Sequence, residues 1–393
     1  MLQAGKGAGR KWSWRLRVWS AILACLSVGP LAAVPAFGQN DPIKVGALLS
    51  TTGVLAPAGS DALPAAQIFI DEVNASGGIN KRRVELVHAD DESRPERAVA
   101  LLKRLIQRDR VIGVIGPAST IVSASLSPIF NEDKIPVVGC ICFVGKITPY
   151  EFSAFPLQGI MDTLIRFAGT SKVSRVGVIT QAGSLAELVK NTQLPALEKG
   201  GLKVVGVEQM QQNDTDVTPL LARLKGAGAE LVFGALSGTT ATLAAKNFKQ
   251  MAYPGVFWTY GGNASKQFIE LVGSAGDVVN MGGYKILVYR ELPDSDPQKA
   301  AITKFAEKFI ARTGRDPGLY AAFGYDAAAS MIEAIRAAGD DPVKIRDALE
   351  QQRNLQVMNG VITRSEVQHN GLATEWIPLR VDTAKKTFTM AKP

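Results

Sequence analysis

In the stretch VIGVIGPASTIVSASLSPIF, residues 111–130, an apolar run breaks at Gly116–Pro117 and releases the hydroxyls of Ser119, Thr120, Ser123 and Ser125. Hydroxyls at the start of a helix that follows a strand can cap the helix's free amides. Together with those amides they can also hold a ligand carboxylate. The two roles compete for the same oxygens, and capping alone contributes about 1 kcal/mol. Other candidates for chemistry are few. Asp90, Asp91 and Glu92 in HADDES offer paired carboxylates, with a solvated loop capping the next helix as the plainer reading. His88 and His369 are the only histidines, which excludes a His-based metal cluster. No G-x-S-x-G, G-x-x-x-x-G-K-[ST] or H-E-x-x-H occurs. The first strand ends GALLSTTG rather than G-x-G-x-x-G, which removes the dinucleotide fingerprint. Nothing in these residues recruits for catalysis or for a cofactor, and no enzyme is expected.

The elements that must position these groups alternate along the chain. IKVGALLS (43–50) predicts a buried strand, and ALPAAQIFIDEVNAS a helix from Ala62 that stops at Gly77–Gly78. RVELVHAD is a second strand. A helix over SRPERAVALLKRLIQRD follows, with Ser93 as its expected N-cap and Pro95 in its first turn. VIGVIG and IPVVGCICF are the third and fourth strands. After TPYEFSAFPLQG the rhythm restarts with RVGVIT, KVVGVEQM, ELVFGALS and GVFWTY as strands between helices. Such alternation predicts parallel sheets built from right-handed strand–helix–strand units, in two lobes. Two further helices follow, then a tail that alternates like antiparallel strands.

The 393 residues are 46% hydrophobic and 20% charged, ample for two cores and too apolar for disorder. Residues 1–38 stand apart. Lys6, Arg10, Lys11, Arg15 and Arg17 precede the small apolar run SAILACLSVGPLAAVPAFG. This is the pattern of a secretory signal cleaved after Ala36 or Gly38, with a lipoprotein box at Cys25 as a lesser option. The break at Gly29–Pro30 argues against a lasting membrane span. Removing the signal leaves 39 basic against 36 acidic side chains. No basic block with interleaved aromatics remains, so no nucleic-acid partner is expected. Cys140 and Cys142, on alternate positions of an extended segment, are expected as two buried free thiols.

IKVGALLSTTGVLAPAGSD, the Asn-x-x-Gly-Gly-Ile-Asn turn at 74–80, the Asp-Asp loop and the VIGPAST run together resemble the leucine/isoleucine/valine-type (type I) periplasmic substrate-binding proteins of ABC importers. GNAS (262–265), GYDAA (324–328) and HNGL (369–372) fall in the same register, and the resemblance runs from about residue 42 to the C-terminus. It implies an α/β fold of two doubly wound parallel-sheet lobes joined by a three-stranded hinge. Lobe one is expected over 41–155 plus 284–340 and lobe two over 156–283 plus 341–393. It also implies a periplasmic, monomeric receptor that closes on a small-molecule ligand and hands it to a membrane permease.

The same resemblance implies a ligand-binding set. Thr120 stands where the family's amino-acid binders place a carboxylate-holding hydroxyl, with Ala118 and Ser119 before it. Ile141, Cys142 and Phe143 follow the fourth strand, Phe143 where a hydroxyl is usual. An aromatic wall in the first loop becomes Ala58, and D-x-x-Y-G is replaced by QAGS ending at Ser184. Ser237 ends ELVFGALS. The acid that meets the ligand ammonium falls on Thr259, beside Tyr260. A buried ammonium without a partner charge is costly, and no acid lies from Phe257 to Ser265. The expected ligand is therefore a small carboxylate without an α-amine, an aromatic or branched acid. Phe143, Cys142, Tyr260 and Trp258 are the candidates for its apolar wall, with alternation aiming one of the last two into the cleft. The alternatives are a branched-chain or aromatic amino-acid binder whose ammonium meets Asp90 or Glu187, and a ligand sensor for a signalling partner.

Overall fold

The computed structural model describes residues 41–141, 148–155, 159–211, 213–373 and 376–392, and of residues 120, 121, 184, 372 and 373 the backbone only. The expected signal segment, Cys142 and Phe143 lie outside the described residues.

The first half of the chain builds a parallel sheet. Its strands are β1 (Ile43–Leu48), β2 (Val84–Ala89), β3 (Val114–Ile115), β4 (Val137–Gly139) and β5 (Glu151–Ser153). Between them run α1 (Ala56–Ala75), α2 (Pro95–Gln107) and α3 (Thr120–Glu132). The strand order is β2-β1-β3-β4-β5. Neighbouring strand residues serve opposite faces: Ile115 and Val138 join one apolar cluster, Val114 and Val137 the other. Helix α1 opens at Ala56 rather than Ala62: Leu55 is its N-cap, and Pro57, with its φ already fixed near the helical value, sits in the first turn.

The second half repeats the plan. α4 (Gly159–Thr170) leads to β6 (Arg175–Gln181), followed by the short α5 (Ser184–Leu188) and α6 (Leu194–Lys199) around a π-helical turn at 189–193. Pro195, which has no amide hydrogen, sits at the start of α6, so the helix expected as one piece changes its hydrogen-bonding step there. β7 (Lys203–Met210), α7 (Thr218–Gly226), β8 (Leu231–Ala235), α8 (Gly238–Gln250), β9 (Val256–Thr259), α9 (Lys266–Val272) and β10 (Val279–Gly283) complete the lobe. Its parallel strands lie in the order β7-β6-β8-β9-β10, the same second-first-third-fourth-fifth sequence as in the first sheet.

The chain then returns to the first sheet. α10 (Lys299–Thr313) and α11 (Leu319–Ala338) pack on α1, their core joined to that of β1. α12 (Pro342–Glu350) packs on α11. A three-stranded antiparallel sheet of β11 (Leu355–Val357), β12 (Gly360–Ile362) and β13 (Leu372–Ala373) follows. Last come β14 (Ile377–Asp382) and β15 (Thr387–Met390), antiparallel additions to the second sheet beside β10. The tail, assigned from the sequence to lobe two from residue 341, thus packs with lobe one as far as β13 and crosses only then. The physical reason lies in two anchors. Asp326 of α11 accepts hydrogen bonds from the amides of Met358 (2.6 Å) and Asn359 (3.0 Å). Arg364, 1% exposed, reaches the carbonyls of His369 (2.9 Å) and Ser153 (3.0 Å).

Candidate functional site

In a sheet ordered second-first-third, connections leave in opposite directions on either side of the first strand. The crevice at the carboxyl ends there is the default ligand position. In the first lobe the loops at that point follow β1 and β3; in the second they follow β6 and β8. Gly116 builds the β3 loop. Its φ is 97° and a Cβ on it would lie 2.3 Å from the Leu48 carbonyl, so only glycine carries the backbone so close to β1. Ser119 then caps α3, its hydroxyl accepting from the Val122 amide at 3.4 Å.

A cavity of about 490 Å³ opens where the two lobes face each other, within the range of roughly 300–1,000 Å³ typical of ligand sites. The first lobe contributes Ile141, Phe155 and Tyr320. The second contributes the Ser237–Thr239 start of α8 and, from the β9–α9 connection onward, Asn263, Gln267 and Leu271. No described lining residue is charged. Asn263 fixes the second wall. Its Oδ1 accepts from the Gly238 amide (2.9 Å), and its Nδ2 donates to the Leu236 carbonyl and the Thr259 hydroxyl (both 3.0 Å). The hydroxyl of Ser237 at the α8 N-cap makes no capping bond and is exposed on this wall.

Of the residues expected at the site, Ile141 and Ser237 line the cavity. Ala58, Ala118 and Ser119 are buried and are not among its lining residues. The side chains of Thr120 and Ser184, and the whole of Cys142 and Phe143, are not described. Thr259 is a correction. It is fully buried, and its hydroxyl donates to the Gly234 carbonyl at 2.9 Å, so it faces the interior of the second lobe and not a ligand. Tyr260 is a second correction. Its hydroxyl donates to Gln193 Oε1 (2.7 Å), its ring stands edge-on to Phe233, and burial pushes its phenol up to about 12. Trp258 packs against Phe167 in the same cluster. Positions two apart on a strand share a face, so the two rings go together into the core; the expectation that alternation would separate them is corrected.

The acidic loop also differs from a solvated cap. Asp91 is fully buried, accepting from Ser50 Oγ (2.5 Å) and the Ser93 amide (2.8 Å); burial raises its pKa, and these bonds oppose the rise. Burial also works against the charge of Asp90, but hydrogen bonds from Glu92, Thr52 and Thr51 hold it down at about 2. The pair ties the β1 loop to the β2 loop and does not reach the cavity wall. Ser93 does not cap α2. Arg94 holds that position, and Ser93 Oγ instead accepts from the Leu55 amide and donates to the Thr52 carbonyl. Cys140 is free and buried, its thiol pushed up to about 12 by burial and by nearby Asp326.

Sequence reasoning missed Phe155, Tyr320, Asn263, Gln267 and Leu271 on the wall. One signal was available: Gly314 ends one helical run and Pro317–Gly318 stands before the next, so Tyr320 falls in the first turn of that helix. Among the described residues no cluster of His, Cys, Asp and Glu could hold a metal ion. No described helix is long and apolar enough to cross a membrane.

Comparison with known proteins agrees with this architecture. The family described as "Periplasmic binding protein" matches residues 42–386. An amino acid binding protein of Pseudomonas aeruginosa is 27% identical over 316 residues, covering 78% of this chain and 82% of that one. Leu/Ile/Val-binding protein homolog 1 of Brucella abortus is 25% identical over 349 residues, covering 86% and 90%. An extracellular ligand-binding receptor from Rhodopseudomonas palustris superposes with a TM-score of 0.74 at 22% identity, covering 89% of this chain and 99% of that one.

Proposed function

The chain belongs to the periplasmic binding protein family, and on that premise we propose that it is the receptor of an ABC importer for a small carboxylate lacking an α-amine, an aromatic or branched acid. It is exported by a cleaved signal over residues 1–38, works as a monomer, and passes its ligand to a membrane permease. It is a binding protein and not an enzyme. One observation carries the choice of ligand: the described cavity wall offers rings and aliphatic surface on one lobe, neutral hydroxyls and amides on the other, and no acid for an ammonium. An unpaired ammonium in a closed cleft would be costly. Ser237 and the remaining free amides in the first turn of α8 suit a carboxylate. Ile141, Phe155 and Tyr320 suit an apolar body. Closure about the hinge follows from the ligand's greater affinity for the closed arrangement, in which both walls touch it.

The relatives' names favour an amino acid, and matched pairs decide between the readings. Thermal melts and titration calorimetry with 3-phenylpropionate against phenylalanine, and 4-methylpentanoate against leucine, are expected to show stabilisation by the acids without an amine. Stabilisation by leucine or phenylalanine, with no response to the amine-free acids, would overturn the proposal.

A further inference from the structure

The three passages between the sheets each carry an aromatic ring: Phe155 after β5, Tyr284 after β10 and Trp376 before β14. Trp376 belongs to the second lobe by its backbone. Its carbonyl accepts from Arg166 of α4 at 2.7 Å. Its indole lies flush on three glycines of that lobe. A Cβ on Gly159 would come within 2.3 Å of the indole Cδ1, one on Gly261 within 2.6 Å of Cζ3, and one on Gly282 within 3.1 Å of Cε3.

Phe155 and Tyr284 belong to the first lobe by their packing. Phe155 lies 4.9 Å and Tyr284 5.2 Å, centroid to centroid, from Phe323 of α11. These same two rings meet the indole, Tyr284 at 4.5 Å and Phe155 at 6.3 Å and 75°. Phe155 has a third contact, the cavity itself. Interdigitated side chains resist sliding. At this point of the hinge the contact is ring on ring, and the indole Nε1 has no hydrogen-bond partner among the described residues to be broken by rotation.

We propose that Trp376, seated on glycines of the second lobe, and Phe155, standing between it and the cavity, couple occupancy of the cavity to the angle between the lobes. A ligand that presses on Phe155 re-aims the ring against the indole, and the indole carries β14 and α4 with it. Phe155 is thus a ligand-contacting residue and Trp376 a positioning residue. The inference rests on the cavity being the ligand site proposed above.

Gly159→Ala tests it with little confusion. The three atoms nearest an added Cβ all belong to the indole, and alanine is no burden to the start of a helix. Gly169→Ala, in the same helix with nothing near its Cβ, is the control. The reading is the radius of gyration from small-angle X-ray scattering of the full chain, near 20 Å for a compact body of this size. It is measured without ligand and with saturating 3-phenylpropionate.

We expect Gly159→Ala to shift the ligand-free radius, Gly169→Ala to leave it unchanged, and Gly159→Ala/Trp376→Phe to restore it. Phe155→Leu is expected to keep the ligand-free radius, lose the contraction, and weaken binding of the probe about tenfold. A Gly159→Ala protein that scatters and melts like the wild type would overturn the coupling. If that variant does not fold alone, Trp376→Leu replaces it, and a wild-type radius with wild-type contraction would overturn the coupling equally. A wild-type chain indifferent to the probe, with the ligand-free shift and its restoration still present, would sink the ligand proposal and leave the coupling standing.

Discussion

At the scale of single residues, burial decides what a polar group does. Asp326 is fully buried and accepts from two backbone amides, and burial raises its carboxyl from 3.8 to about 7 against the pull of those bonds. The folded protein therefore binds this proton more tightly than the unfolded chain. The associated stability is fully present below pH 4 and is lost as pH rises through about 7, with a slope of up to about 1.4 kcal/mol per pH unit. Asp90 has the opposite sign: held at about 2, it contributes stability above its unfolded value and loses it only as pH falls toward 2. Chemical denaturation from pH 4.5 to 8 should thus show wild-type stability falling with pH, and Asp326→Asn should flatten that fall. An equally steep decline in the variant would remove Asp326 as its source. Thr259 shows the same rule at a neutral group. Once buried, its hydroxyl donates to the Gly234 carbonyl and accepts from Asn263 Nδ2, so it has no proton left for a ligand carboxylate.

At the scale of elements, the β12–β13 hairpin is clipped to the hinge by one cation. Arg364 donates to the carbonyls of Ser153 and His369, to the Ser330 hydroxyl and to Gln352, and its ring neighbour Phe152 stacks on His369. Burial lowers its pKa to about 9, so it remains charged at neutral pH. Lysine keeps the charge but has no planar fork. Arg364→Lys should lower unfolding free energy by about 3 kcal/mol through unsatisfied buried acceptors. The loss would be read from the denaturant midpoint, with faster amide exchange in β13. A midpoint within error of the wild type would mean the clip contributes little. Tail strands were legible as an antiparallel pattern, because alternation is local. Which sheet they would join was not, because the partners of Arg364 are up to 211 residues away in sequence.

For the whole molecule, two sheets whose five parallel strands share one order meet at a cavity with no charged residue in its described lining, so both lobes must gain from a ligand at once. Ligand at a hundred times its dissociation constant should add about 2.7 kcal/mol to stability. Amide exchange should slow together at 237–239 in the second lobe and in the first turn of α11 in the first. Protection confined to one lobe would argue against a shared site.

The sequence by itself determined the alternation of strands and helices, the two lobes, the break at Gly116 and the absence of an enzyme's motifs. All of these depend on periodicity and residue type within a few positions of one another. Only the tertiary structure decided which side chains meet the cavity. A strand's pattern says that Trp258 and Tyr260 share a face, but only the helices packed on that face, with Phe167 and Gln193, decide that it is core. Likewise nothing near Phe155 or Tyr320 in the sequence marks them as wall. They become so because distant segments, brought back across the hinge, leave a gap at that point and fill it elsewhere.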